Sequence, residues 1–273
     1  MATYLVIAAL QLNSNDCLER NFLQIEKLLE EVCQLPEKPA LVFLPENSIY
    51  YRINTKQSIP HFHLTDLIFV KLQNLSEKFK ISIHLTNSLF FEGKNWNASV
   101  LIKPFQKIEV IYKKIHLFDI HLDGEKSIKE SDIFFAGTES SVFSFGGFKF
   151  GSSICYDLRF SKLFHLYAEH EVDVILVPAA FLAKTGRAHW EPLLRARAIE
   201  SQCYVIAPAQ AGLHTAEDGS ARRETYGHSL IVDPWGVVIT SKADGIGFIS
   251  AGINTEKCTS VRNQIPMKLH RRL

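Results

Sequence analysis

The feature that most limits what this chain can fold into is a series of strand-length apolar runs that do not alternate with polar residues. They include Leu5–Leu12, Ala40–Leu44, Ile81–Leu85, Ala98–Ile102, Glu109–Tyr112, Phe148–Ile154, Val174–Pro178, Tyr204–Ala207, Ser229–Val232 and Gly247–Ile253. Runs of this kind suit strands covered on both faces. Helical spacing separates several of them. Leu18, Phe22, Ile25, Leu28, Leu29 and Val32 form one apolar stripe, with Asp16 and Glu19 placed for a capped start. Leu67–Phe79, Ser161–His170 and Trp190–Gln202 offer three further helices, the last with Arg195 and Arg197 among its alanines. Strands and helices interleaved in this way predict an α/β protein built in stacked layers.

No repeat or Pro/Gly/Ser-rich linker interrupts the 273 residues, so one domain over 1–273 is expected. The 30 basic and 29 acidic side chains leave a formal charge of +1, which gives no electrostatic reason to expect nucleic acid or an anionic membrane. The Tyr4–Leu10 run is short and has no basic residue before it, so it reads as a first strand rather than a secretory leader. No apolar stretch reaches the length of a membrane span, and a cytoplasmic location is expected. In that reducing setting Cys17, Cys33, Cys155, Cys203 and Cys258 are free thiols, without the CxxC spacing of zinc or redox sites. Asn74 and Asn97 lie in glycosylation-type triplets that a cytoplasmic chain leaves unused.

Three polar residues stand where apolar strands end: Glu46 after Pro45, Lys114 after Lys113, and Cys155 before Tyr156-Asp157-Leu158-Arg159. In layered α/β proteins functional groups gather at the carboxyl ends of strands. Taken singly, Cys155 reads as a core thiol, Glu46 as a surface carboxylate and the lysines as a solvated strand end. Together they form a nucleophile, a base and a cation. A thiol at a strand-to-helix turn is expected to be favoured as the thiolate by the helix N-terminus.

These residues sit in Leu-Val-Phe-Leu-Pro-Glu46-Asn, Tyr-Lys-Lys114-Ile-His-Leu-Phe-Asp and Gly-Ser-Ser-Ile-Cys155-Tyr-Asp-Leu-Arg-Phe. In order and rough spacing they resemble the Glu–Lys–Cys motifs of the nitrilase superfamily of carbon–nitrogen hydrolases, and the likeness extends to Asp233-Pro-Trp-Gly236. The resemblance implies a four-layer α-β-β-α sandwich of two mixed sheets and a cysteine-dependent amidase working through a thioester. Glu46 would take the thiol proton, pass it to departing ammonia and then activate water, best with its pKa raised toward neutrality. Lys114 and the backbone N–H of Tyr156 would hold the oxyanion. Lys114 is preferred to Lys113 because it stands two residues before the histidine of His-Leu-Phe.

A supporting glutamate between lysine and cysteine is implied as well, matched by Glu130 with Glu125 as the competitor. The stretch Ala180 to Glu191 is similar to the branch acting on deaminated glutathione. By that likeness Arg159 would pair with a substrate carboxylate, with Phe181 and Thr185 lining the pocket. A structural ion pair is the alternative for Arg159, and Glu191 would either support the triad or cap a helix. The rival substrates are α-ketoglutaramate, as for an ω-amidase, and N-carbamoyl amides. An interaction protein that kept the fold is the rival outside enzymes. No metal or organic cofactor is needed, since Cys155, Glu46 and Lys114 supply the charges of the reaction. Relatives pair their subunits, so a homodimer or larger homo-oligomer is expected, with residues 254–273 at the interface.

Overall fold

Successive side chains of a strand point to opposite faces, so a run that is apolar throughout must find apolar neighbours on both. The computed structural model, which describes residues 3–121 and 128–272, meets that demand with two sheets packed face to face. One six-stranded sheet has the order Gly247–Asn254, Tyr4–Gln11, Leu41–Glu46, Ser82–Phe91, Lys94–Ile102, Glu109–Lys113. The other runs Val238–Lys242, Ser229–Val232, Tyr204–Ala207, Val174–Leu176, Phe148–Ser152, Val142–Phe145. Each has three parallel strands at its centre and antiparallel pairings toward its edges.

The alternation hidden in the apolar runs appears in the packing. Leu5, Ile7 and Ala9 join Leu41, Phe43, Phe150, Leu176 and Ile206 in a core between the sheets. Ala8, Leu10, Val42 and Leu44 point the other way, into a core with Phe22, Ile25, Phe69 and Leu72 of the helices Leu18–Val32 and Leu67–Phe79. Ile175, Val177, Val205 and Ala207 meet Phe164, Trp190 and Leu194 of the helices Ser161–Glu169 and Ala183–Ser201 on the far side. Three apolar layers therefore hold four structural ones. This is the expected α-β-β-α sandwich.

Local departures have physical causes. Asp16 does not cap the first helix: Cys17 holds the cap position with no side-chain bond, while the Asp16 carboxylate accepts from the Glu217 N–H at 2.8 Å. The fourth helix begins at Ala183, well before Trp190, and carries Pro192 inside it. Ala183 to His189 is polar on most faces, so no apolar stripe marks that first part. The hairpin Ala211–Thr215 with Arg222–Tyr226 was not legible as apolar runs, being polar and outside both large sheets. Beyond the last strand, Asn254 accepts from the Lys257 N–H at 2.8 Å and starts the helix Thr255–Gln264, whose Val261 is buried and whose Cys258 joins the core between the sheets. Among the described residues no helix is long and apolar enough to cross a membrane.

One buried group has a consequence for stability. His84, on Ser82–Phe91, is 1% exposed, lies with its ring centre 5.6 Å from that of Phe43, and finds no partner for either ring nitrogen among the described residues. Burial pushes its pKa down from 6.5 to about 3. Between those values the unfolded chain binds a proton that the folded chain refuses, so stability falls as pH falls. Across the whole window the effect is on the order of 4–5 kcal/mol. His84→Leu is expected to flatten the acid side of the stability curve relative to the wild type, in denaturant melts between pH 4 and pH 7. Parallel curves for the two proteins would show that His84 is not the group responsible.

Candidate active site

Pro45 has no N–H to give to a sheet ladder, so the central strand Leu41–Glu46 loses register after Phe43 and pairs again at Glu46 with Thr86. That irregularity places the Glu46 side chain at the strand end, where it is 3% exposed. Lys114 follows the strand Glu109–Lys113 and is fixed through its backbone: its N–H donates to Asn97 O at 2.8 Å and its carbonyl accepts from the Gly137 N–H at 2.8 Å. Position 137 has to be glycine, because a Cβ there would lie 2.3 Å from the Lys113 carbonyl oxygen. Cys155 opens the short helix Cys155–Arg159 with φ of 48°, a left-handed backbone that is strained for a residue with a side chain. Its N–H is tied to Pro178 O at 3.0 Å.

The three side chains meet at one end of the sandwich. Lys114 Nζ donates to Glu46 Oε1 at 2.9 Å and to both oxygens of Glu130, at 3.0 and 2.8 Å. The Cys155 thiol shares the cavity wall with the Glu46 carboxylate, whose Oε2 accepts from the Ala180 N–H at 3.0 Å. Asn97 Nδ2 bridges the two carboxylates, 2.8 Å from Glu46 Oε1 and 2.8 Å from Glu130 Oε1. Glu130 accepts further from the Phe118 N–H at 2.7 Å. Of the two sequence candidates for the supporting glutamate, Glu130 is in the site and Glu125 lies outside the described residues. Lys113 faces elsewhere, paired with Glu92 at 2.9 Å and lying over the Trp96 ring.

A third carboxylate, fully buried Asp157, locks the cysteine turn to the lysine loop. It accepts from Ile154 N–H on one side, and from Tyr112 Oη at 2.8 Å and the His116 N–H at 2.9 Å on the other. The Asp157 N–H bonds Ile154 O, while the N–H of Tyr156 between them has no backbone acceptor among the described residues.

Electrostatics reverse two expectations. Burial pushes the Cys155 thiol well above its ordinary 9.0, and the Glu46 charge adds to that more than Lys114 subtracts. A helix of a single short turn cannot offset a carboxylate in direct contact, so the resting group is a thiol. Burial would raise Glu46 too, but the Lys114 charge and the hydrogen bonds from Lys114, Asn97 and Cys155 outweigh it and hold the carboxyl below its ordinary 4.5. Burial disfavours the Lys114 ammonium, yet the Glu130 and Glu46 charges raise its pKa well above 10.5. The resting site is therefore carboxylate, ammonium and thiol.

Glu46, Lys114, Glu130 and Cys155 line a cavity of about 620 Å³ that also takes in Arg159, Phe181 and Thr185. Arg159 stacks near the rings of Phe181 at 4.9 Å and Tyr156 at 5.8 Å, and its Nη1 lies 3.1 Å from His189 Nδ1. Among the described residues it pairs with no carboxylate, so the structural ion pair considered for it does not form there. Glu191 is corrected outright: it is in mid-helix, exposed, 3.7 Å from Arg195, and neither caps the helix nor reaches the cavity. Residues not singled out from sequence also belong here. Asn97, read only as a glycosylation-type triplet, is buried between two carboxylates, and Tyr51 and Arg223 form one wall. Arg222–Tyr226 reads Arg-Arg-Glu-Thr-Tyr, which has no apolar alternation to mark position 223; the alternation appears only in the fold, exposed at 222 and 224 and turned inward at 223 and 225.

Comparison with known proteins identifies the family. The family described as carbon–nitrogen hydrolase matches the chain over residues 6–263. A deaminated glutathione amidase from Synechocystis sp. is 37% identical over 280 residues, covering 99% of each chain. The crystal structure of the Caenorhabditis elegans NitFhit protein superposes with a TM-score of 0.87 at 32% identity, over 99% of this chain and 65% of that one. Saccharomyces cerevisiae Nit3, a member of branch 10 of the nitrilase superfamily, superposes at 0.82 with 28% identity, covering 99% and 97%. With its two-sheet sandwich and this match along nearly its whole length, the chain belongs to the carbon–nitrogen hydrolase family of the nitrilase superfamily.

Proposed function

We propose that the protein is a cysteine-dependent amidase acting on deaminated glutathione or a close α-keto acid amide. The observation that carries this reading is the Lys114 ammonium bridging Glu46 and Glu130 beside the Cys155 thiol, on the wall of one cavity. As substrate enters, Glu46 takes the thiol proton and the sulfur attacks the amide carbonyl carbon. The developing oxyanion is held by Lys114 and the Tyr156 N–H, each such donor contributing about 3–4 kcal/mol to the transition state. Glu46 then gives its proton to the amide nitrogen, the C–N bond breaks and a thioester remains. Water, losing a proton to Glu46, attacks the thioester, and the departing sulfur takes that proton back. Glu130 and Asn97 keep the ammonium and the base in place through both halves.

Deaminated glutathione changes one part of the sequence-based expectation. Its scissile bond joins a five-carbon keto acid to the cysteinylglycine dipeptide, so the group that leaves is a dipeptide amine rather than ammonia. Arg159 at the cavity wall, with a planar fork suited to a carboxylate, would anchor the keto acid end, alongside Phe181 and Thr185. The amidase relatives and the size of the cavity support this choice over a small primary amide.

Steady-state assays on deaminated glutathione, α-ketoglutaramate and an N-carbamoyl amide test it. The expected kcat/KM on the first exceeds the others by about tenfold or more, and quenched reactions should carry an acyl mass on the peptide containing Cys155. Folded protein that turns over no α-keto amide would remove the proposal.

A further inference from the structure

Among the cations that line the cavity, Lys114 is already engaged by Glu46 and Glu130, and Arg159 lies beside the cysteine turn. Arg223 comes from a different part of the fold. It sits on the hairpin strand Arg222–Tyr226, opposite His214, and neighbouring Arg222 and Glu224 face solvent while Arg223 turns into the cavity. Its guanidinium lies over the Tyr51 ring, 5.6 Å from the ring centre, and the Tyr51 side chain is its foremost electrostatic partner. Tyr51 is itself 3% exposed, with its ring edge-on to buried His214 at 5.0 Å. His214 is held in turn by Ser14 O and Thr225 Oγ1, each at 2.7 Å. The guanidinium is thus carried on a rigid wall rather than on a loose surface side chain.

No carboxylate pairs with Arg223 among the described residues. The acids whose charge reaches it, Glu46 and Glu130, are both bound to Lys114. A cation kept turned inward without a counter-ion is costly unless something anionic visits it. The hydroxyl of Tyr51 beside it offers a donor to the same visitor.

We propose that Arg223 and Tyr51 form a second carboxylate subsite, which receives the carboxylate on the amine portion of the substrate. This rests on the reading of the cavity as an amidase site. Glu46 must deliver its proton to the departing nitrogen, so that portion lies on the Glu46 side of the sulfur. The Arg223–Tyr51 wall is on that side, since Tyr51 stands on the segment that runs on from the strand carrying Glu46 and lines the cavity with Glu46, Asn47 and Tyr50. Arg159, stacked beside Tyr156 of the cysteine turn, is left for the acyl portion. The cavity then selects an amide carrying one carboxylate on each side of the bond that breaks, as deaminated glutathione does.

Two substrates that differ in a single group test this: deaminated glutathione, and the same molecule with its glycine carboxyl converted to a primary amide. The wild type is expected to favour the free acid by about 10- to 100-fold in kcat/KM, mostly through KM, as for loss of one charged hydrogen-bonded pair. Arg223→Gln should erase that preference, Tyr51→Phe should reduce it, and Arg223→Lys should keep part of it. Release of the acyl group from the thioester, followed after a burst, should discriminate little, since the amine portion has then left. A wild type that treats acid and amide alike, or an Arg223→Gln protein that still prefers the acid, would overturn the subsite while leaving the amidase reading intact. A wild type that turns over neither substrate overturns both. Should Arg223→Gln fail to fold, the wild-type preference and the Arg223→Lys protein still decide.

Discussion

Cys155→Ala is expected to reduce kcat/KM by at least about 10⁴-fold while moving the thermal midpoint by no more than a few degrees. The two halves of that expectation have different causes. Among the described residues no other thiol lines the cavity to replace the sulfur as nucleophile. Stability is spared because the thiol is a terminal atom at the cavity edge, where shortening it opens little new void. Glu46 keeps its bonds from Lys114, Asn97 and Ala180 after the thiol is gone. Alanine inherits the same left-handed backbone at φ 48°, so that strain is unchanged. Turnover assays and calorimetric melts on the same preparation check both halves, and a collapse of the melting temperature would assign the thiol to packing instead.

Lys114→Met should behave in the opposite way, losing both activity and stability. Methionine fills much of the volume but leaves buried Glu46 and partly buried Glu130 sharing Asn97 without a cation. Breaking a buried ion pair from one side costs about 3–5 kcal/mol. The sign of its pH dependence is a second signature. In the wild type the Glu46 carboxyl is held below its ordinary value, so its contribution is present at neutral pH and is lost in acid. In the variant, burial and mutual repulsion would push the carboxyls above their unfolded values. Folding would then bind protons, and the deficit should grow as pH rises from about 5 to about 8. Adding Glu130→Gln to Lys114→Met should recover part of the loss. Denaturant melts at the two pH values check this; a deficit independent of pH would mean that lost packing, not charge, dominates.

Much of this was readable from residues alone because the signals were local. Glu46, Lys114 and Cys155 each follow an apolar run, and a strand end is a matter of neighbouring residues. The doubled apolar character of Leu41–Leu44 and Val174–Val177 foretold cover on both faces. What stayed hidden depends on contacts between distant segments. Asn97 acquires its part only when Lys94–Ile102 is laid between the strands carrying Glu46's neighbour and Lys114. The ionisation of Cys155 was misjudged because the helix start is adjacent in sequence, whereas the carboxylate that governs the thiol arrives from another sheet. Arg223 was missed because its hairpin is polar and belongs to neither large sheet.

Glu46, Asn97 and Lys114 hang from one slab of the sandwich, while Cys155 and Ala180 project from the other. The gap across which a proton must hop from sulfur to carboxylate is therefore gauged by the girders that keep the slabs apart, Phe43 and Phe150 among them, with ring centres 6.1 Å from one another. Asp157, clasping Tyr112 of one slab and the cysteine turn of the other, acts as the latch that stops them from shearing. Chemical alignment in this molecule is thus a property of its middle, set by greasy spacers that never meet the substrate.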